Sequence, residues 1–383
     1  MIRVLVPREC RPGETRVAAT PETVRRLAAR GCTLQVERGA GLASGFQDEA
    51  YGEAGAELIE TSAAALDPWR TADVVLAVQA AALAAERREL AALRPGALLL
   101  GLLEPHGNAR LKQQLEQQRL TAMALELLPR ISRAQTMDVL SSQANIAGYK
   151  AVLLAAAALD RYVPMLMTAA GTIQPARALI LGAGVAGLQA LATARRLGAV
   201  AYVSDVRAAA KEQVESLGGR FIDPPEQEQK PGETGGYAQQ ATEDFLAAQR
   251  RQLTEQLALA DMVICTAQVP GRPAPRLIDD AMLQHMRPGS VVVDLAVAQG
   301  GNCEGSQPGT TVLRHGVQLI GADQLPCSVA NHASALYARN VAALLEHLLA
   351  ASGDEPSALQ LDLEDPIVSG CLFTHHSPAG GAA

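Results

Sequence analysis

Short apolar runs and amphipathic stretches alternate along the first third of the chain. The apolar runs predict strands at residues 2–6, 33–36, 74–78, 97–102 and 121–126. The amphipathic stretches predict helices at residues 21–30, 83–94 and 107–118. The first of these helices is expected to have Thr20 as N-cap and Pro21 at its first position. Strands separated by helices favour a parallel sheet that is covered by helices on both faces.

The same alternation begins again after a long Ala-rich stretch, 138–162, which predicts a linking helix. Further strands are predicted at residues 178–181, 201–204, 262–266 and 290–295. Further helices are predicted at residues 185–197, 209–217, 238–259, 277–286 and 332–350. The segment 223–236 is rich in Pro, Glu, Gln and Gly, which predicts an exposed loop.

These elements predict an α/β protein with two Rossmann-like parallel-sheet domains and a cleft between them. We place the first domain at residues 1–137, completed by a C-terminal segment of about 331–383, and the second domain at 138–330. A length of 383 residues agrees with two domains.

Composition argues against several classes of function. The net charge of −7 provides no basic surface for nucleic acid. The longest apolar run, 147–159, is interrupted by Lys150 and is shorter than a bilayer crossing requires. The cysteines form no C-x-x-C pair and the histidines show no metal-ligand spacing. We therefore expect neither a disulfide framework nor a metal site.

The strongest local signal is the run Gly182-Ala183-Gly184-Val185-Ala186-Gly187, which lies between a predicted strand and a predicted helix. In such a G-x-G-x-x-G run the first glycine allows a tight turn, and the second lets the backbone approach a pyrophosphate. The third lets the helix pack closely on the strand. The helix N-terminus then offers N–H groups and a partial positive charge to the phosphates. A tight turn in an ordinary sheet is the alternative, but the order of strand, turn and helix favours a dinucleotide site.

An acidic residue follows at about the distance that a ribose contact requires. Asp205 stands at the end of the next predicted strand, roughly 20 residues beyond the glycine run. Its carboxylate would accept hydrogen bonds from both ribose hydroxyls and repel a 2′-phosphate. Arg207 could serve a 2′-phosphate instead, but the strand-end position of Asp205 favours NAD(H) over NADP(H).

Residues 129–149 are polar although they lie beside apolar strands. Their side chains could hold a carboxamide and a ribose by hydrogen bonds at a domain junction, and the candidates are Arg130, Gln135, Asp138 and Ser141. The alternative is that Ser132 or Asp138 caps the long helix that follows. The residues themselves leave both interpretations open.

The chain contains none of the motifs H-E-x-x-H, G-x-S-x-G or the P-loop, and no dedicated acid or nucleophile stands out. Hydride transfer between two nicotinamides needs no such group, because positioning and water exclusion can supply most of the rate. The residues are therefore compatible with a component of a hydride-transfer enzyme.

Several runs of the chain resemble the NAD-binding alpha subunits of proton-translocating NAD(P) transhydrogenases in their three-gene bacterial form. The wider family also contains alanine dehydrogenase. The runs are residues 7–18, 129–149, 167–172, 182–198, 205–207 and 294–296. The resemblance extends over nearly the whole chain.

This resemblance implies that the chain binds NADH and passes hydride directly to NADP⁺ held by a separate NADP-binding beta subunit. A membrane-spanning alpha-2 subunit and the beta subunit would couple the transfer to proton movement. The resemblance also implies a homodimer in the cytoplasm, held on the inner face of the cell membrane only through these partners.

The resemblance assigns the nicotinamide end of the site to Arg130, Gln135, Asp138 and Ser141, as the residues closest to the chemistry. It assigns Tyr237 to a mobile loop that closes on the bound nucleotide. The full set of implied NAD(H) contacts is Arg130, Ile131, Ser132, Arg133, Gln135, Asp138, Ser141, Gly182, Gly184, Val185, Ala186, Gly187, Asp205, Val206, Arg207, Gly236, Tyr237, Ala267 and Gln268.

Oxidation of an amino acid by a stand-alone, alanine-dehydrogenase-like enzyme is the alternative function. The resemblance would then require a lysine and a histidine on the first domain and an aspartate on the second. Gln79 stands in the place of the lysine, strand 98–103 has no histidine because His106 lies past its end, and Ala298 replaces the aspartate. Arg16 remains, but a single arginine is no substrate site. A nucleotide-binding regulator that has lost its chemistry is a third interpretation.

Overall fold

The computed structural model of the chain describes residues 1–60, 66–225, 243–269, 271–350, 359 and 361–376. The chain divides into two compact units. Unit 1 is Met1–Gln143 with Pro326–Ala383, and unit 2 is Ala144–Leu325. Unit 1 is therefore built from both ends of the chain, whereas unit 2 is one continuous segment.

The strands of the described residues are short and mostly buried. They are β1 Ile2–Val6, β2 Cys32–Glu37, β3 Glu57–Ile59, β4 Val74–Leu76, β5 Leu98–Gly101, β6 Thr121–Ala124, β7 Leu166–Thr168, β8 Gly171–Ile173, β9 Arg177–Leu181, β10 Val200–Ser204, β11 Arg220–Ile222, β12 Met262–Cys265, β13 Val291–Asp294, β14 Thr311–Arg314, β15 Val317–Gly321 and β16 Leu372–Thr374.

Helices connect most of these strands. The α-helices are α1 Pro21–Ala28, α2 Asp48–Glu53, α3 Asp67–Thr71, α4 Ala80–Glu86, α5 Ala109–Gln117, α6 Val139–Ala158, α7 Val185–Arg196, α8 Ala210–Ser216, α9 Glu243–Leu259, α10 Asp280–Leu283, α11 Ala330–Ala350 and α12 Pro366–Cys371. Short 3-10 helices lie at Leu42–Ser44, Arg88–Ala92, Leu125–Leu127, Ser132–Met137, Val297–Gln299 and Leu325–Val329. Within the described ranges, no helix combines the length and the apolar character that crossing a membrane would need.

Unit 1 is built on one seven-stranded sheet with the order β16-β6-β5-β4-β1-β2-β3. All neighbouring strands are parallel except β16, which runs antiparallel to β6. Val4 and Val6 of β1 enter one hydrophobic core, and Leu5 between them enters another. Because the sheet is covered on both faces, its central strands read as continuous apolar runs.

Unit 2 is built on a second seven-stranded sheet, with the order β11-β10-β9-β12-β13-β15-β14. All of its neighbouring strands are parallel except β14, which runs antiparallel to β15. Ala178 and Ile180 of β9 enter one core, and Leu179 and Leu181 enter the other. The separate hairpin β7–β8 forms its own two-stranded sheet.

Both large sheets have the strand order of a doubly wound Rossmann fold. When only the parallel strands of each large sheet are numbered in chain order, from β1 in unit 1 and from β9 in unit 2, they run 3-2-1-4-5-6. One antiparallel strand lies beside the sixth. The predicted α/β class with two Rossmann-like parallel sheets is confirmed. In such sheets the strand order reverses between the first and fourth strands, and ligands bind at the carboxyl ends there. These switch points are β1/β4 in unit 1 and β9/β12 in unit 2.

The predicted start of α1 is confirmed in atomic detail. Thr20 is the N-cap, its side chain accepts a hydrogen bond from the N–H of Thr23, and Pro21 is the first helical residue. The hydroxyl of Thr23 accepts in turn from the N–H of Thr20 at 2.9 Å. This reciprocal capping satisfies two N–H groups that a helix start otherwise leaves without partners.

The predicted helix at 277–286 is wrong over its first three and its last three residues, because α10 spans only Asp280–Leu283. Ile278 instead forms a bridge with Cys303, because the N–H groups of Leu277 and Ile278 donate to the carbonyl of Asn302. The helix α10 begins only after Asp279, which caps it by accepting from the N–H of Met282. The predicted helix at 83–94 is likewise divided into α4 and the 3-10 helix Arg88–Ala92.

Glu9 ties the segment after β1 to the end of β4. Its two carboxylate oxygens accept the N–H groups of Val78 at 2.6 Å and Gln79 at 3.0 Å. Burial raises the pKa of Glu9 to about 7, although the two backbone hydrogen bonds act in the opposite direction. The folded chain therefore holds a proton on this carboxyl at a pH where the unfolded chain has released it.

The Glu9 carboxyl makes the fold less stable as the pH rises. Its protonated form stabilises the folded state fully below the ordinary pKa of 4.5, and this contribution is lost as the pH rises through about 7. We expect the urea midpoint of the wild type to fall between pH 5 and pH 8, with about 1.4 kcal/mol lost per unit of pKa shift. The side chain at position 9 cannot titrate in the Glu9→Gln variant, so we expect its urea midpoint to change less between pH 5 and pH 8 than that of the wild type. Equal pH slopes in the two proteins would contradict the assignment.

Candidate functional site

The glycine run of unit 2 forms the turn between β9 and α7. Gly182 has a φ of +106°, and a Cβ atom there would lie 2.6 Å from Oγ1 of Thr266. A Cβ atom on Gly187 would lie 1.8 Å from the carbonyl oxygen of Gly182. Side chains at these two positions are therefore excluded, the first by conformation and by space and the second by space. The turn brings α7 directly against the end of β9.

The space in front of α7 suits a pyrophosphate. Gly184 is the N-cap of α7 and supplies no side-chain hydrogen bond to the first turn, and a Cβ atom there would meet nothing within 4 Å. The first N–H groups of a helix have no partner inside the helix and carry its partial positive charge. The residues present therefore fit the phosphate part of a dinucleotide.

The turn lies at the switch point of the sheet, opposite the end of β12. Thr266 follows β12, and its hydroxyl donates to the carbonyl oxygens of Leu181 and Gly182, each at a distance of 3.1 Å. The next residues, Ala267 and Gln268, were both predicted to contact the cofactor. Gln268 is exposed and donates from Nε2 to the carbonyl of Leu295 at 2.8 Å.

Asn302 supports this edge of the site and was missed from the sequence. Its side chain is fully buried. The amide oxygen accepts a hydrogen bond of 3.1 Å from the N–H of Ala267, and the amide nitrogen donates one of 2.8 Å to the carbonyl of the same residue. A further hydrogen bond of 2.8 Å reaches the carbonyl of Pro275. No spacing signal identifies such a residue, because it acts on the backbone of a segment 35 positions away.

Asp205 follows β10 and lies against the glycine turn. Its Oδ2 accepts the N–H of Ala183 at 2.7 Å, and its Oδ1 accepts the N–H of Arg207 at 2.8 Å. The guanidinium of Arg207 adds two hydrogen bonds of 2.9 Å, from Nε to Oδ1 and from Nη2 to Oδ2. Burial would raise the pKa of Asp205, but the hydrogen bonds from Arg207 and Ala183 outweigh it and the pKa is lowered. Between these residues, Val206 is exposed.

Gly148 of α6 packs against the start of α7, a contact that no sequence motif indicated. A Cβ atom on Gly148 would lie 2.0 Å from the carbonyl oxygen of Ala186. Nearby, Asn145 donates to Oε1 of Gln189 at 3.1 Å. The backbone of α6 therefore contacts the residues at which a pyrophosphate would bind.

The predicted residues of unit 1 lie just before and on the 3-10 helix Ser132–Met137 and at the start of α6. Ala134 and Met137 are buried in the core of unit 1, and Nδ2 of Asn340 donates to the carbonyl of Thr136 at 2.7 Å. This anchoring leaves the remaining candidates on the surface of the unit. The exposed candidates are Arg130, Ile131, Ser132, Arg133 and Gln135.

Two of the predicted residues, Asp138 and Arg133, have hydrogen-bond partners inside unit 1. Asp138 accepts the N–H of Ser141 at 2.9 Å and its hydroxyl at 2.5 Å, so it caps the start of α6, and its contact with a nucleotide stays a prediction. Arg133 donates to Oδ1 of Asp365 at 3.3 Å, and Oδ2 of the same carboxylate lies 2.6 Å from Nε2 of His347. Gly236 and Tyr237 lie outside the described residues, so the closing loop stays a prediction.

The switch point of unit 1 is filled by its own side chains. Arg16 donates from Nε and Nη2 to the carboxylate of Glu14, at 2.8 and 2.7 Å, and from Nη1 to Gln143 at 3.0 Å. Gln79 donates to the same carboxylate at 3.1 Å. Burial would raise the pKa of Glu14, but the hydrogen bonds and charge of Arg16 lower it to about 2. The buried guanidinium is therefore neutralised within the unit.

Comparison with known proteins gives the family. Residues 5–147 match the model of the alanine dehydrogenase/PNT N-terminal domain, and residues 151–379 match that of the C-terminal domain. A protein from Rhodospirillum rubrum that is named as one part of NAD(P) transhydrogenase subunit alpha is 47% identical over 375 residues, which cover 97% of this chain and 96% of that protein. Alanine dehydrogenase of Bacillus subtilis is 30% identical over 334 residues, covering 85% and 79%.

A solved structure agrees with these relatives. The crystal structure of transhydrogenase from Sinorhizobium meliloti matches with a TM-score of 0.85 and 43% identity, covering 98% of this chain and 99% of that one.

The contact between Gly148 and Ala186 predicts that adding a single methyl group at position 148 lowers the stability of the chain and its affinity for NADH. Gly148→Ala places a Cβ atom against a backbone carbonyl, and such overpacking costs about 1–3 kcal/mol. We expect the melting temperature to fall by roughly 3–10 °C and the affinity for NADH to decrease. Gly52→Ala is the matched control, because a Cβ atom on this other helical glycine meets nothing within 4 Å. Wild-type stability and affinity in Gly148→Ala would contradict the contact.

Proposed function

The chain belongs to the alanine dehydrogenase/PNT family, and we propose that it is the NAD(H)-binding alpha subunit of a proton-translocating NAD(P)⁺ transhydrogenase. In this proposal, hydride passes from NADH on this chain directly to NADP⁺ bound on a partner subunit. The transfer is Re/Si-specific and is coupled to proton movement through membrane subunits. The relatives named as transhydrogenase alpha subunits support the assignment.

The observation that carries the proposal is the dinucleotide site of unit 2. The glycine turn, the start of α7 with no side-chain cap, and Asp205 meet at the carboxyl edge of one sheet, at its switch point. Phosphates would bind at the N-terminus of α7, and the adenosine ribose would bind at Asp205. A carboxylate at that position favours NAD(H), because a 2′-phosphate would bring a second negative charge beside it.

We assign the nicotinamide end to the polar residues of unit 1. Arg130, Gln135, Asp138 and Ser141 would hold the carboxamide and its ribose by hydrogen bonds, so that the ring is oriented for transfer. The bound nicotinamide itself supplies the hydride. The protein's contribution is positioning and the exclusion of water, so no general acid or base is required.

The structure of unit 1 disfavours the alternative of amino-acid oxidation. Such an enzyme needs a cation to bind the carboxylate of its substrate, but Arg16 is only 6% exposed and already bound to Glu14 and Gln143. Gln79, in the place of the family's lysine, has an amide that cannot act as a general acid or base, and it is hydrogen-bonded to Glu14.

The partners follow from the same proposal. A membrane-spanning alpha-2 subunit and an NADP-binding beta subunit would complete the enzyme and hold this chain on the inner face of the cell membrane, in the cytoplasm. Relatives from Rhodospirillum rubrum and Rickettsia prowazekii are named as only one portion of a subunit alpha, which supports an assembly of several subunits.

We further propose that two copies of the chain pair through the hairpin β7–β8. The exposed apolar side chains on the hairpin are Met167 and Ile173, and Met165 lies directly before it; Met167 is 73% exposed. A two-stranded hairpin is marginally stable without a further layer to cover it. A second copy would bury these side chains and supply that layer.

Reconstitution with the partner tests the enzymatic proposal. We expect the purified chain to bind NADH and, once a soluble NADP-binding beta domain is added, to reduce an NAD analogue in cycles that depend on NADH and NADP⁺. The chain alone is expected not to reduce NAD⁺ with L-alanine. The measurement is the absorbance of the reduced nucleotides. Turnover of L-alanine by the chain alone would overturn the proposal in favour of amino-acid oxidation, and NADH binding without transfer would favour a regulator.

The hairpin proposal predicts the mass of the particle in solution. We expect the wild type to have the mass of two chains in sedimentation equilibrium and Met167→Glu to have the mass of one, because a buried charge would be unpaired. Leu313→Glu is the control, since Leu313 is 70% exposed on the edge strand β14 and is not part of the hairpin. Dissociation of the control but not of Met167→Glu would place the interface elsewhere.

A further inference from the structure

Arg207 covers the carboxylate that the proposed function assigns to the adenosine ribose. The side chain of Asp205 is only 6% exposed, whereas that of Arg207, which lies on it, is 63% exposed. The two side chains form a bidentate pair through Nε and Nη2. A ligand can therefore reach Asp205 only after the guanidinium has moved, and an exposed arginine side chain is free to do so.

The acceptor capacity of Asp205 is fully used. A carboxylate has about four lone-pair positions, two on each oxygen. The backbone N–H groups of Ala183 and Arg207 occupy one position on each oxygen, and the guanidinium of Arg207 occupies the other two. The two backbone donors belong to the main chain of the glycine turn and of the segment after β10, and they stay in place when the Arg207 side chain moves. The two positions that the ribose hydroxyls need are therefore those held by the guanidinium.

We propose that the guanidinium of Arg207 is an internal competitor of the adenosine ribose and a determinant of nucleotide specificity. The proposal rests on the assignment of the NAD(H) site to unit 2. In the free chain Arg207 holds Asp205, and the two hydroxyls of the adenosine ribose replace its side chain when the nucleotide binds. Because the guanidinium must first be displaced, the chain binds NADH more weakly than it would if the carboxylate of Asp205 were not paired with Arg207.

The same pair weakens the discrimination against NADPH. The positive charge of Arg207 compensates the negative charge of Asp205 and reduces the repulsion of a 2′-phosphate. Removing the guanidinium is therefore expected to shift the two affinities in opposite directions. NADH would bind more tightly because its competitor is gone, and NADPH would bind more weakly because Asp205 is left uncompensated.

The Arg207→Ala variant tests this proposal by direct titration of nucleotide fluorescence. We expect the dissociation constant of NADH to fall by about two- to five-fold, the range that an exposed ion pair accounts for, and that of NADPH to rise. Lys211→Ala is the matched control. It removes one positive charge from the neighbouring helix α8, where Lys211 pairs with Asp223, and is not expected to tighten NADH binding. Loss of a cation near an anionic ligand should by itself weaken binding. Tighter binding of NADH by Arg207→Ala would therefore distinguish competition from a simple loss of positive charge.

Two further measurements locate the effect at the ribose. ADP should bind more tightly to Arg207→Ala than to the wild type, whereas 2′,3′-dideoxy-ADP, which lacks both hydroxyls, should show no gain. In the background of Asp205→Asn, removal of Arg207 should also give no gain, because the charged acceptor for which the two compete is absent.

The outcomes separate this proposal from the proposed function. If the wild type binds neither NADH nor ADP, the assignment of the nucleotide site fails. If the wild type binds NADH and Arg207→Ala binds it more weakly, the site stands but Arg207 supports the nucleotide and the competition is refuted. An equal gain with ADP and its dideoxy analogue would also refute it, because the hydroxyls would then play no part.

Discussion

Close approach of backbone segments at three glycines is the constraint on which the glycine turn of unit 2, the candidate nucleotide site, depends. Gly187 lets α7 touch the end of β9, Gly182 lets the turn pass beside Thr266, and Gly148 lets α6 lie on the first turn of α7. With these contacts made, the start of α7 is fixed at the switch point of the sheet. Asp205 then fixes the turn further by accepting the N–H of Ala183. The carboxylate is thus a structural part of the turn as well as a candidate ligand.

The two units show how one topology can carry different chemistry. Both have the strand order 3-2-1-4-5-6, and both therefore have a switch point at which ligands commonly bind. In unit 2 a glycine turn leaves space there, beside helix N–H groups that no side chain caps. In unit 1 the equivalent position holds the pair of Glu14 and Arg16 with Gln79. The fold supplies the position, and the side chains decide whether a ligand can use it.

The sequence predicted the central strands and the glycine turn because their signals are local. A buried parallel strand such as β9 is a continuous apolar run, and the turn has its spacing within six residues. The bridge of Ile278 to Cys303, the clamp of Asn302 on Ala267 and the contact of Gly148 with Ala186 were missed. Each joins residues far apart in sequence, so that tertiary packing decides the outcome. The strands β3, β7, β8, β11, β14, β15 and β16 were also missed. Five of them, β3, β7, β8, β11 and β16, have only three residues, a pattern too brief to stand out.

Unit 1 is built from two segments that are far apart along the chain, and this affects how it can fold during synthesis. β16 pairs with β6, and the hydroxyl of Tyr337 in α11 donates to the carbonyl of Ala77 at 2.8 Å, so the last segment of the chain completes the core of the first. Unit 2 is continuous and can fold as soon as it has left the ribosome. Residues 1–143 cannot complete the sheet and core of unit 1 until residues from 326 onward have been made. Unit 2 can therefore complete its fold before unit 1, whose sheet and core need residues from Pro326 onward.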